Sequence, residues 1–171
     1  VWIKNMQGVT RVLYHLPAVL AGVAAGELIY LPEGEKDYEA LLALGLIATT
    51  NAGGAAKWEP QYTETLRGAH VVILQDNYVS GRRHTARLTR ELHGIAASLK
   101  VVEFPELPPK GDVSDWLQAG GTRAQLEARV AATLLWVPAA APAQEPAAAP
   151  ADDARPVIYI TTDMAPVVDA A

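Results

Sequence analysis

Cysteine is absent from the chain, which excludes disulfides and thiolate zinc sites. Histidine does not replace it, because His15, His70, His84 and His93 form no zinc-ligand spacing and read as surface or capping residues. No apolar run reaches membrane-spanning length, and no basic-then-apolar leader opens the sequence, so a cytoplasmic location is expected. An excess of positive charge is also missing. With 14 Lys+Arg against 19 Asp+Glu, the formal net charge is -5, so any nucleic-acid contact has to be local. The Gly53-Gly54 loop lacks the glycine-lysine-hydroxyl ending of a phosphate-binding loop, and no nucleotide-hydrolysing motor is expected in the chain.

What is present reads as a globular composition, 50% hydrophobic and 19% charged over 171 residues, enough for one domain and a tail. Short apolar runs alternate with helix-period segments, the pattern of βα units. The runs are Leu28 to Leu31, Leu46 to Thr49, Val71 to Leu74 and Lys100 to Phe104. They predict an α/β fold with an open, mainly parallel four-stranded sheet flanked by helices. The first and third runs are apolar without alternation and are expected to be buried on both faces. Helices are predicted over Leu16 to Ala25, with Pro17 in the first turn, and over Asp37 to Leu44, Thr63 to Arg67 and Gly81 to Ala97. A short one starts at Asp112 and runs to Gln118, and Thr122 caps another that reaches Trp136.

The expected organisation is a lead-in and helix over 1–27, the α/β domain with its C-terminal helices over 28–137, and a disordered linker over 138–156, where Ala and Pro dominate. Val157-Ile158-Tyr159-Ile160 then reads as a strand opening a second, truncated module over 157–171. Val rather than Met at position 1 reads either as a processed start or as a segment of a longer protein, and the second is expected.

The acidic residues fall where strands end. Glu33 follows the first run, Asp76 the third, and Asp112 and Asp115 the loop after the fourth. In an open parallel sheet the carboxyl ends of the strands share one edge, where ligands bind. Carboxylates brought there from three segments repel one another unless a cation lies between them, which points to Mg2+ or Mn2+. The competing reading is that each acid is a helix N-cap.

Glu33-Gly34-Glu35-Lys36-Asp37 after a strand, an apolar strand running into Asp76-Asn77, and Gly111-Asp112 through Asp115-Trp116-Leu117 together resemble the Toprim domain of DNA primases, above all the primase-helicases of phages and mobile elements. The likeness extends in order and spacing from Leu28 to Leu117, and Asn51 to Gly54 with Lys57-Trp58 is similar to the loop after that family's second strand. The resemblance implies Glu33 as the catalytic acid/base, Asp76 and Asp112 as metal ligands, and Asp37 and Asp115 as supporting acids. It implies primer synthesis by Mg2+-dependent or Mn2+-dependent nucleotidyl transfer, a single-stranded DNA template, nucleoside triphosphates, and a helicase module or protein as partner.

One position departs from the family. Where an Asp-x-Asp pair is expected the chain has Asp76-Asn77-Tyr78, and a phenol with a pKa of about 10 is a poor ligand for Mg2+. Among the cations, Arg83, Arg87 and Arg90 share a helix face opposite Leu88, Leu92 and Ile95, and form either a solvated face or a phosphate track. Lys57 and Arg82 are better placed to reach the metal edge. Trp58 and Trp116 read as packing anchors or as stacking surfaces for a base. Two further readings remain open: a non-catalytic nucleic-acid-binding or scaffold domain with a decayed site, and a Toprim-type nuclease.

Overall fold

The computed structural model describes residues 8–54 and 57–139. The expected linker and the strand-like run at Val157 to Ile160 lie outside the described residues. The elements follow in the order α1 (Leu16–Ala25), β1 (Leu28–Leu31), α2 (Glu35–Ala43), α3 (Pro60–Thr65), β2 (His70–Gln75), α4 (Val79–Leu92), β3 (Ser98–Glu103), α5 (Val113–Gln118) and α6 (Arg123–Ala132).

The strands form a parallel sheet in the order β1-β2-β3, with Leu31 opposite Ile73 and Ile73 opposite Val101. Because successive side chains point to opposite faces, each strand feeds two cores. Ile29, Leu31, Val71 and Ile73 join Val19, Tyr62, Leu88 and Leu92 on the side of α1, α3 and α4. Tyr30, Val72, Leu74 and Val102 join Leu41, Val113, Trp116 and Leu126 on the side of α2, α5 and α6. Double burial explains why the β1 and β2 sequences are apolar without alternation.

The sheet has three strands rather than the expected four. The run from Leu46 to Thr49 makes a single parallel bridge, Ala48 to Tyr30, beside β1. Its bonds are Tyr30 N–H to the Ile47 carbonyl (2.8 Å) and Thr49 N–H to the Tyr30 carbonyl (2.9 Å). The chain is then drawn off the sheet. The Thr49 hydroxyl donates to the Tyr14 carbonyl (2.7 Å), Tyr14 N–H donates to the Thr50 carbonyl (3.0 Å), and the Thr50 hydroxyl donates to the Glu33 carbonyl (3.1 Å). These threonine bonds, to partners 35 and 17 positions away, hold the chain off further ladder pairing.

Several helix ends also differ from expectation. The helix expected from Thr63 begins at Pro60, whose missing N–H is harmless in a first turn. The one expected to reach Ala97 stops at Leu92, since His93 is extended and Gly94 has φ 75°. Ile95 therefore lies past the helix, and Gly68 N–H holds its carbonyl at 2.9 Å. Nor does the last helix continue to Trp136: Thr133 is extended, Leu135 bridges antiparallel to Lys100, and Trp136 N–H donates to the Leu99 carbonyl at 2.8 Å. Each outer strand thus carries a short bridging segment along its edge.

Candidate metal centre

Parallel pairing of β1 with β2 delivers Glu33 and Asp76 to the same carboxyl edge. The loop after β3 returns to that edge. Asn77 N–H donates to the Gly111 carbonyl (2.9 Å), Lys110 N–H donates to the Asn77 carbonyl (3.0 Å), and the Asn77 amide donates to the Leu107 carbonyl (2.7 Å). This clamp brings Asp112 round to face α2. Gly81, in the first turn of α4, allows the helix to lie directly against Asp76, because a Cβ there would sit 2.8 Å from the Asp76 carbonyl oxygen.

Glu33, Asp76 and Tyr78 form the centre of the site. The Tyr78 hydroxyl donates to Glu33 Oε1 at 2.7 Å, and Asp76 lies within hydrogen-bond reach of both. Asp76 is 8% exposed. Burial, followed by the charges of Glu33 and Asp37, pushes its carboxyl up to about 8. Burial and the hydrogen bond to Glu33 likewise raise the Tyr78 phenol, so its proton stays on oxygen. The second oxygen of Glu33, Oε2, is buried and has no hydrogen-bond partner.

The other three acids are already engaged. Asp37 is buried and accepts from the Ser114 hydroxyl and the Ser114 N–H (3.2 Å); burial, then the nearby Asp112 charge, raises its pKa against those bonds. Asp112 is the N-cap of α5. Its Oδ1 accepts from Asp115 N–H (2.9 Å), while Asp115 Oδ2 accepts from Asp112 N–H (3.2 Å). Its Oδ2 accepts from Lys36 Nζ at 3.0 Å, and Asp115 Oδ1 lies 3.6 Å from the same ammonium. Burial would raise the Asp112 carboxyl, but the Asp115 N–H and Lys36 outweigh it and hold it below the usual range.

The donor set suits a hard cation only through its central pair. Among the described residues no group of three or more His, Asp or Glu is arranged to hold an ion. Glu33 and Asp76 as a pair do fit the mode in which Mg2+ takes one or two carboxylates and keeps several waters, and the orphaned Glu33 Oε2 favours it. In this arrangement Asp112 stands apart as a cap.

The expected cations are spread more widely. Lys57 is exposed, and its stem lies across Gly53, in the loop that starts beside Glu33. Arg82 is exposed and, with Gln75, Asn77 and Glu103, lines a small cleft by the end of β2. Arg83 is exposed on α4. Arg87 donates to the Trp58 carbonyl (3.1 Å) and lies 4.0 Å from Glu91. Both tryptophans pack. Trp58 is buried against Tyr62 with its indole N–H on Thr63 (2.9 Å), and Trp116 is buried against Phe104 with the Arg129 guanidinium over its ring. His84 is buried on the inner side of α4 rather than at the surface, because it follows the 3.6-residue period of Leu88.

Lys36, Ser114, Asn77 and Gly81 also shape the site, without being marked as functional by the sequence. Lys36 lay inside the first acidic motif, and the i, i+3 pair Asp112 and Asp115 was itself a capping signal. Nothing in the local sequence tied Ser114 to Asp37, 77 positions away.

No family model and no curated protein matches the chain. Among solved structures, a crystal structure of the Aquifex aeolicus primase, comprising its zinc-binding and RNA polymerase domains, matches with a TM-score of 0.57 and 20% identity over 70% of this chain. The chain spans 28% of that protein's length. At this level of identity the likeness concerns the fold, which is primase-like.

Proposed function

We propose that the chain is a Toprim-type module of a DNA primase or primase-helicase, of phage or mobile-element type, serving Mg2+-dependent or Mn2+-dependent nucleotidyl transfer on single-stranded DNA. The observation that carries the reading is the pairing of Glu33 with buried Asp76 at the carboxyl edge of a parallel sheet, with Glu33 Oε2 buried and unpartnered. The primase-like fold supports it.

Asp76 and Glu33 would hold the ion, and Asp112 would join once its contact with Lys36 is released. A bound divalent ion supplies positive charge against the phosphates of a nucleoside triphosphate. Glu33, whose Oε1 faces a hydroxyl donor, would serve as the acid/base. Lys57, Arg82 and Arg83 are exposed cations suited to template phosphates, and contacts of that kind give affinity without sequence preference. The Tyr78–Glu33 bond and the capping role of Asp112 favour a second reading, a non-catalytic nucleic-acid-binding or scaffold domain.

Binding of a nucleoside triphosphate and of a labelled single-stranded oligonucleotide, each with and without Mg2+, separates the two. The catalytic reading expects triphosphate binding that requires Mg2+ and weakens at least about tenfold in Asp76→Asn, given the charge dependence of hard-cation sites. Oligonucleotide binding should weaken in Lys57→Ala and Arg82→Ala. Oligonucleotide binding without any Mg2+-dependent triphosphate binding would put the scaffold reading first.

A further inference from the structure

The Tyr78 hydroxyl lies against the two carboxylates, Glu33 after β1 and Asp76 after β2, to which the reading above assigns a cation. It donates to Glu33 Oε1 at 2.7 Å and is within hydrogen-bond reach of Asp76. We propose that Tyr78 is an intramolecular plug: its hydroxyl caps the Glu33 and Asp76 pair in the metal-free chain and is displaced when a divalent cation binds. The inference rests on the metal-binding reading above and adds a residue that regulates entry to that site.

Three features of the geometry point this way. The first is stoichiometry. A phenol brings one O–H, whereas two carboxylates present four oxygens, and the buried Glu33 Oε2 is left with no donor. The plug therefore satisfies the pair incompletely, while a cation with its waters satisfies more of it.

The second is that the Tyr78 side chain has no other task among the described contacts. Residue 78 is the N-cap of α4, yet its side chain makes no capping bond, unlike that of Asp112 on α5. Its backbone supplies the local links instead: N–H to the Asp76 carbonyl (2.9 Å) and carbonyl from Arg82 N–H (3.1 Å). A side-chain rotation breaks neither. The third is the environment of the ring, which is half-buried rather than locked in either core cluster, so swinging out disturbs no core contact.

Part of what opposes entry of the cation is thus the Tyr78 hydrogen bond to Glu33. Removing the hydroxyl while keeping the ring should tighten binding by about tenfold, the size of effect that one such bond provides. The metal-free form should lose stability at the same time, because Glu33 Oε1 loses the hydroxyl that donates to it. A merely structural tyrosine would lower stability without changing affinity for the ion, and a tyrosine that assists the ion would lower that affinity.

The test is calorimetric titration of the full chain with Mg2+ and with Mn2+ in nucleotide-free buffer, for wild type, Tyr78→Phe, Asp76→Asn and the double variant, alongside thermal unfolding. Tyr78→Phe is expected to bind about tenfold more tightly, to unfold at a lower temperature without metal, and to lose its gain when Asp76→Asn is added. Equal or weaker binding by Tyr78→Phe, beside a wild type that does bind, overturns the plug and leaves the metal site standing. Absence of binding by every form overturns both. The unaltered chain provides a second readout should Tyr78→Phe fail to fold. In a chain with carbon-13-labelled tyrosine rings, the Tyr78 hydroxyl proton should be visible by NMR without metal and vanish at Mg2+ saturation. Its persistence at saturation rejects displacement.

Discussion

Asp76 is held where most of its surroundings penalise its charge, burial first, then the carboxylates of Glu33 and Asp37, against a smaller favourable contribution from the Tyr78 hydroxyl. Its carboxyl titrates near 8 in the folded chain, against an ordinary value of 3.8. The sign of the linkage follows. Between those two values the folded chain binds a proton that the unfolded chain has released, so stability is full below the unfolded pKa and is lost as pH rises toward about 8. Asp76→Asn cannot ionise and escapes this loss. Denaturant midpoints measured with a chelator from mildly acid to mildly alkaline pH should show the variant gaining on wild type as pH rises. A constant difference between the two would mean that Asp76 is ionised throughout. Asp112 behaves oppositely because the Asp115 N–H and Lys36 compensate its charge, which suits it to its place as a helix cap.

At the scale of elements, the site depends on how closely α4 lies on the end of β2. Gly81 permits that approach, since a methyl group there would meet the Asp76 carbonyl oxygen at 2.8 Å and the Asp76 Cβ at 2.9 Å, and the carbonyl cannot move aside as a flexible side-chain end would. For Gly81→Ala, overpacking costs about 1–3 kcal/mol. Replacing glycine by alanine inside a helix returns at most about 1 kcal/mol. The clash should therefore win, lowering the denaturant midpoint and shifting the backbone resonances of Asp76 and Tyr78. A stabilised Gly81→Ala with unchanged resonances would show that the helix has room to spare. On the other flank, α5 is set by its own capping box, so its start was visible in the spacing of Asp112 and Asp115.

For the molecule as a whole, β2 is the common wall of both cores. Val71, Val72, Ile73 and Leu74 are each nearly inaccessible, with β1 on one side and β3 on the other. The segment from Leu46 to Thr49, by contrast, is tied to the sheet at one bridge only. Hydrogen exchange should reflect this difference. The β2 amides are expected to exchange only through global unfolding, and those of Ala48 and Thr49 much faster through local opening. Matching protection of the two segments would mean that the edge run behaves as a full fourth strand. No helix among the described residues is long and apolar enough to cross a membrane.

Periodicity and local chemistry determined a large part of this architecture from sequence alone. Doubly buried strands must be apolar throughout, so β1 and β2 were legible, and turn and capping residues marked α1 and α5 closely. The order of the acids along the chain, combined with parallel strands, already implied that Glu33 and Asp76 share an edge. Other features depend on partners far away in sequence. Whether the run from Leu46 continues along the sheet past Thr49 depended on Tyr14, which takes the Thr49 hydroxyl and the Thr50 carbonyl, and the state of Asp112 depended on Lys36, 76 positions earlier. Tyr78 is the sharpest case. From sequence it could be read only as a missing carboxylate, because a side chain's type gives its chemistry but not its neighbours. Folding set its hydroxyl against Glu33, 45 positions away, and made it a donor within the acidic pair.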